Sequence, residues 1–321
     1  MTETRAFQTL IEESDTAFHG PWRGPRNMLS EQTYGGHASV HDEDTAQKMG
    51  FAAAPIEGPT HFSQFAPLCC HIWGDQWLAE GGLSVSYKAA VAEGEQVRAY
   101  IAKPANDETQ LAVWMIKKDG TEVLRGTASF GDDYPPSAVD EKLANLSPPD
   151  PKRVIMRNIV PGAKRPRIHV NLGRDNSLGP LYPFSLREKL ALITEQSDWY
   201  AEGAVTPWGG PILPIEMVSV LVHHAADSDP WLGSKATIDL FVDQEIRMIK
   251  GPLLVGSDYE IERTVIALSG SRRTESCWVR SDIFLPGGQE ILATMILNVA
   301  SFKDSYADYD KELAEIETQA V

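Results

Sequence analysis

Apolar positions recur along the 321 residues with two spacings. Between Thr60 and Trp77, the residues Phe62, Phe65, Leu68, Cys69, Ile72 and Trp73 return every three or four positions. That spacing predicts a buried helix, which continues past Pro67 near its middle. Beyond Gly81-Gly82 the spacing falls to two, and LSVSYKAAV, GEQVRAYIAKP, TQLAVWMIKK and EVLRGTASFG read as successive strands. Asp119-Gly120 between the last two is a hairpin turn signal. One long helix against consecutive antiparallel strands predicts an α+β unit in which the sheet wraps round its helix. Upstream, Arg5–Ser14 has helical spacing, and Thr45–Met49 reads as a short helix stopped at Gly50.

The same texture then returns. Residues 131–151, with five prolines, acidic flanks and little periodicity, read as a boundary. A second helical pattern covers Ser185–Gly203, a glycine-proline turn leads into an apolar helix over 211–226, and more strands follow. Turn chemistry repeats in order: Gly58-Pro59 with Gly210-Pro211, Trp77-Leu78 with Trp231-Leu232, and residues 119–124 with 287–292. The spacing between copies lengthens toward the C-terminus, which points to an insertion in DQEIRMIKGPLL (243–254). Internal duplication is the economical reading. It divides the chain into a first unit over 1–135, a linker over 136–180 and a second unit over 181–321, with an acidic surface helix or frayed end from Lys303 onward.

Composition narrows the class. Hydrophobic residues at 42% and charged residues at 23% suit a globular chain with buried cores. No apolar run approaches the ~20 residues that span a bilayer, and the acidic, polar opening MTETRAFQTLIEESD does not read as a secretory signal. Cys69, Cys70 and Cys277 give neither a disulfide framework nor a zinc motif, so the expectation is cytoplasmic. A net charge of −16 argues against nucleic acid, because phosphate binding needs a basic face. The charge is uneven, however. Residues 151–174 carry Lys152, Arg153, Arg157, Lys164, Arg165, Arg167 and Arg174 and no acid. They read either as a linker solvated and paired with acidic surface, or as a phosphate-binding segment.

The chemistry concentrates in YGGHASVHDEDTAQKMGFAAAPIEGPTHFSQFAP, residues 34–67. Histidines and carboxylates here precede a helix start, whose amide groups can bind an oxyanion. This stretch resembles the signature of MaoC-like hydratases, the hot-dog-fold family that includes the R-specific enoyl-CoA hydratases. In that family an Asp-x-Asn-Pro-x-His loop is followed by acidic residues, a Gly-Phe pair and a Pro-x-x-His-Gly turn into the central helix. His41 falls on the family's catalytic histidine, Gly50-Phe51 on the Gly-Phe pair, and Pro55-Ile56-Glu57-Gly58 on the helix entrance. The family's catalytic aspartate corresponds to Gly36, its Asn-Pro pair to Ala38-Ser39, and its entrance histidine to Glu57. With the repeat, the resemblance implies a double hot-dog.

It also implies a hydro-lyase acting on an activated double bond in an acyl thioester, such as an enoyl-CoA, without cofactor or metal. The catalytic candidates are His41, Asp44, Glu57 and His61. Asp44 either orients the His41 ring or serves as a helix N-cap or first-turn carboxylate. The substrate-binding candidates are His37, Gly58 (whose N–H would be the oxyanion donor), Glu216, and Lys164 with Arg165 for CoA phosphates. Glu216, in LPIEMVSVLV, resembles the helix acid of the hot-dog dehydratases of fatty-acid synthesis. It is either a functional acid or a structural one. His223-His224 read as the exposed end of their helix. Two other functions stay open, a thioesterase using Glu216 as its water-activating base and a non-catalytic acyl-binding protein. A small-molecule partner is expected, no nucleic acid and no membrane, with a homodimer left open.

Overall fold

The computed structural model describes residues 6–224, 231 and 235–319. In the first half the strands are β1 (Glu12–Glu13), β2 (Ala17–His19), β3 (Thr33–Tyr34), β4 (His37–Ala38), β5 (Gly81–Tyr87), β6 (Val97–Ala102), β7 (Gln110–Lys117) and β8 (Glu122–Phe130). In the second they are β9 (Lys164–Asn171), β10 (Asp239–Met248), β11 (Asp258–Gly270), β12 (Thr274–Phe284) and β13 (Ile291–Phe302). All but β3 and β4 join one eleven-stranded sheet, in the order β1-β2-β6-β7-β8-β5-β10-β13-β12-β11-β9.

That order contains the duplication. The first half runs β2-β6-β7-β8-β5 and the second runs β9-β11-β12-β13-β10, the same succession. The two halves meet where β5 pairs antiparallel with β10, with Leu83 opposite Ile246. The chain is therefore a double hot-dog, an α+β fold. At the seam the buried Asp243 carboxylate accepts from Lys142 at 2.5 Å, from Asn298 at 2.8 Å and from Ser86. Gly126 on β8 lets the backbones close up, since a Cβ there would meet the Ser84 carbonyl oxygen at 1.8 Å.

Helix α1 (Glu43–Lys48) begins at Asp42, whose Oδ1 caps Thr45 N at 2.9 Å. The long helix predicted over 60–77 is a 3₁₀ helix, Gly58–Phe65, running into α2 (Ala66–Trp73), with a further turn α3 (Trp77–Glu80). Pro67 causes no break because it occupies the first turn of α2, where no N–H is needed. Next come α4 (Ala138–Ala144), α5 (Leu186–Leu192), α6 (Ile215–His223) and α7 (Tyr309–Gln319). The 58–65 helix packs on α6, and Phe62, Phe65, Met217, Val218 and Leu221 share one core with Leu83 and Ile246.

Several expectations are corrected. Residues 6–11 form no helix and lead into β1; Phe7 packs on Tyr200, so the apolar side chains of this arm serve tertiary packing. The helical pattern over 185–203 yields α5, opened by a Ser185/Glu188 capping box, and a single 3₁₀ turn at Asp198–Tyr200. The stretch 136–180 contains α4 and the sheet strand β9. The added length of the second copy is not concentrated in 243–254. Strands of 6–9 residues in the first half become 10–13 in the second. The repeated Gly-Pro pairs are also offset. Ile56 N–H donates to Val91 O at 2.7 Å and Leu213 N–H to Leu253 O at 2.8 Å, which makes Ile56 and Leu213 the equivalent residues before each helix. Residues 225–226 of the expected second helix, and Leu232, lie outside the described residues. Among the described residues no helix is long and apolar enough to cross a membrane.

Candidate functional site

A cavity of about 290 Å³ lies between the 29–58 segment and the inner face of the second half-sheet. Its floor is built by strand alternation. Met295, Leu297, Val299 and Ser301 of β13 and Cys277, Val279 and Ser281 of β12 present every second side chain to it. Val40, His41, Pro55, Ile56, Glu57 and Gly58 form the opposite wall.

His41 is held from three directions. Its N–H donates to Ser39 Oγ at 3.1 Å, its carbonyl accepts from Asn27 Nδ2 at 3.0 Å, and its ring Nδ1–H donates to Pro55 O at 2.7 Å. The last bond selects the tautomer, leaving Nε2 with a lone pair. Burial lowers the pKa of the ring to about 4, against the Pro55 hydrogen bond and assisted by the nearby Lys189 charge. The imidazole is therefore neutral at neutral pH.

Glu57 sits at the mouth of the 58–65 helix, 6% exposed. Burial raises its carboxyl to about 7, opposed by Lys189, reinforced by Glu216 and opposed by the Tyr182 hydroxyl, 3.4 Å from Oε1. Its environment and that of His41 thus invert the usual order of a carboxylic acid and an imidazole. Gly58 follows on the same wall. A Cβ there would meet the Tyr87 ring at 2.5 Å, so only glycine fits. Tyr87 OH donates to Gln244 Oε1 at 2.8 Å, and Gln244 Nε2 donates to Ser219 Oγ at 3.2 Å, tying the helix entrance to both halves. Pro59 offers no N–H and that of Thr60 donates to Glu57 O at 3.1 Å, so neither is available to a ligand at this wall.

The other sequence candidates lie elsewhere. Asp44 is an exposed first-turn residue of α1, while Asp42 takes the N-cap role. His61 is buried outside the cavity lining, and burial together with Lys189 and Lys117 lowers it to about 3. His37 Nδ1–H donates to Ala38 O at 2.9 Å and its ring meets Tyr34 edge-on at 4.9 Å, also off the cavity wall. Glu216 accepts from Ser63 Oγ and lies 3.1 Å from Lys189 Nζ, which also donates to Thr60 Oγ1 at 2.9 Å. This buried ion pair links the 58–65 helix, α5 and α6. Lys164 pairs with Glu262 at 2.8 Å, and neither Lys164 nor Arg165 lines the cavity. Elsewhere in the basic stretch Lys152 pairs with Glu317 at 2.9 Å and Arg167 with Glu260 at 3.4 Å.

Gly36 has a local reason. It turns the β3–β4 hairpin with Gly35, at φ of +84° and +58°, a backbone conformation that side chains rarely adopt. The loop is tight at the position where the MaoC signature carries aspartate.

Motif reading centred on residues 34–67 missed the residues supplied by the second half and the connection before it: Tyr182, His223, Asp239 and Lys235. His223 is not at an exposed helix end. It lines the cavity beside Phe241, with Nδ1–H donating to Ser219 O at 3.1 Å, and its pKa is lowered to about 4 by burial, against that bond and with Arg263 adding to the fall. Lys235 is paired with Glu312 at 2.8 Å. The period-two alternation of β12 and β13 was the available signal for the cavity floor, and it does not reach these four residues.

No family model matches the sequence, and no curated protein matches it. In fold the chain is similar to a protein named for its MaoC dehydratase domain from Chloroflexus aurantiacus J-10-fl, with a TM-score of 0.50, 12% identity, and 94% of this chain and 96% of that one covered. It is also similar to the dehydratase domain of PpsC from Mycobacterium tuberculosis, solved in complex with C12:1-CoA, with a TM-score of 0.45, 9% identity, and 94% and 100% covered. A third is a protein named as an oleoyl thioesterase from Lactobacillus plantarum, with a TM-score of 0.41, 8% identity, and 93% and 99% covered. The likeness is one of fold. The chain is a double hot-dog protein whose structural neighbours include MaoC-like dehydratases and thioesterases.

Proposed function

We propose that the chain is a hydratase/dehydratase acting on a 2,3-double bond of an acyl thioester, with His41 and Glu57 as its acid–base pair. The observation that carries this reading is the shared cavity wall: a neutral imidazole with a free Nε2, a carboxyl held near neutrality, and a helix-entrance amide. In hydration, His41 Nε2 takes a proton from water as its oxygen bonds to the β-carbon. The π electrons shift toward the thioester, whose oxygen accepts from Gly58 N–H, and Glu57 gives its proton to the α-carbon. Proton transfer from His41 back to Glu57 resets the pair, and dehydration is the reverse.

Of the acids near the signature and on the second helix, Asp42 caps α1, Asp44 is exposed and Glu216 is paired with Lys189. Glu57 is the one on the cavity wall, which supports its role as the carboxylate that Gly36 does not supply. The pairing of Glu216 also weighs against its use as the base of a thioesterase. A crotonyl-CoA incubation tests the reading. The expected result is loss of enoyl absorbance with the thioester intact and 3-hydroxybutyryl-CoA as product. Release of free thiol from crotonyl-CoA would mean hydrolysis and overturn it.

A further inference from the structure

Asp239 is a second, half-buried acid on the cavity wall, and the proposed reaction does not use it. It opens β10 and pairs across to Ser301 of β13. Both of its side-chain hydrogen bonds fall on the same oxygen: Thr237 Oγ1 and Ser301 Oγ donate to Oδ1 at 2.9 and 2.6 Å. Oδ2 has no hydrogen-bond partner among the described residues. Oδ2 is the oxygen left open on the cavity wall, where a bound ligand can supply the donor. Burial raises its pKa, while the two hydroxyl donors and His37 favour the charged, acceptor form.

Its position separates it from the Gly58 amide. Along the floor, Phe241 lies opposite Val299 and Gln244 opposite Leu297 on β13, while Cys277 and Val279 of β12 lie across from Val299 and Leu297. These apolar side chains stand between Asp239 and the Gln244 side chain, which holds Tyr87 over Gly58. At the usual strand rise the two ends of this strip are roughly 15 Å apart. Tyr34 OH accepts from Asp239 N–H at 3.0 Å, which fixes the acid against the 34–41 loop.

We propose that Asp239 is the polar anchor of the cavity, its Oδ2 accepting a hydrogen bond from a neutral hydroxyl or amide donor carried by the bound thioester. The donor has two chemical sources, a hydroxyl on the acyl chain or an amide or hydroxyl of the pantetheine arm. The inference rests on the cavity being the thioester site. A site built to accept such a bond discriminates strongly against a ligand that lacks it.

The test is equilibrium binding by calorimetry, which needs no turnover. The ligands are saturated acyl-CoAs, their ω-hydroxy counterparts and the ω-methyl ethers of these, and the same acyl groups as S-methyl thioesters without the arm. In Asp239→Asn, Oδ1 is kept for Thr237 and Ser301, but an N–H replaces Oδ2. Kd should rise ~10–100-fold, the size of a lost bond to a charged group. A rise confined to hydroxyacyl ligands on either carrier identifies the acyl source. A rise for every CoA thioester but no S-methyl thioester identifies the arm. The wild type gives a reading independent of the variant's folding: it should prefer the hydroxyl to its methyl ether, or the CoA thioester to the S-methyl thioester, by the same factor. Thioesters that bind the wild type without either preference, and bind Asp239→Asn within twofold, overturn this inference alone. A wild type that binds no thioester overturns the proposed function with it.

Discussion

Replacing His41 by alanine should lower kcat for hydration by ~10²–10⁴, the usual contribution of a positioned acid or base. The ring is fixed by the Pro55 carbonyl with Nε2 available on the cavity wall, so the loss removes the base and leaves the binding surface largely in place. Glu57→Gln should give a loss of similar size. The double variant should be little worse than either single one, because the two groups act on one proton inventory. His37→Ala should cost far less, since that ring packs on Tyr34 outside the cavity lining. Steady-state kinetics on the four proteins separates these cases. A His41→Ala enzyme with full kcat would remove imidazole from the mechanism.

The largest stability effect is expected at Lys189. Its ammonium and the Glu216 carboxylate are 5% and 1% exposed and 3.1 Å apart. Lys189→Met leaves Glu216 charged and buried with Ser63 as its remaining donor, a change of the kind that costs about 3–5 kcal/mol. It also removes the bond to Thr60 that braces the helix carrying Gly58. The paired replacement of Lys189 and Glu216 by methionine removes both charges and should recover most of the loss. Denaturant unfolding measures both. Single and double variants of equal stability would show that the ion pair does not brace the two central helices.

Much of the fold was legible because its signals are local. The three- and four-residue spacing of 60–73 specifies a buried helical run, the alternation of β6–β8 and the Asp119-Gly120 turn specify strands and a hairpin, and their recurrence specifies two copies. What failed depended on partners distant in the chain. Strand β9, KRPRIHVN, is an edge strand with mostly half-exposed or exposed side chains, so it reads as a basic linker until its pairing with β11 is known. The arm from Phe7 has helical spacing, yet its aromatic ring is claimed by Tyr200. For the candidate site, one contiguous motif named His41, Glu57 and Gly58, which line the same cavity. The partner of Glu216 was not legible, because Lys189 sits on another helix at no characteristic spacing from it. Nor were His223 and Asp239, whose places on the cavity wall appear once the second half-sheet faces the first-half loop. Gly36 looked like a lost aspartate; it is the second residue of a hairpin turn at positive φ.

The most direct test of the His41–Glu57 pair is the pH dependence of kcat/KM for hydration in the wild type and in Glu57→Gln. The reaction needs His41 neutral and Glu57 protonated. Activity should therefore rise as pH increases through about 4, where the imidazolium is lost, and fall through about 7, where the Glu57 proton is lost. In Glu57→Gln the residual activity should keep the acid limb and lose the descent near 7. An alkaline limb that survives unchanged in Glu57→Gln would contradict the assignment.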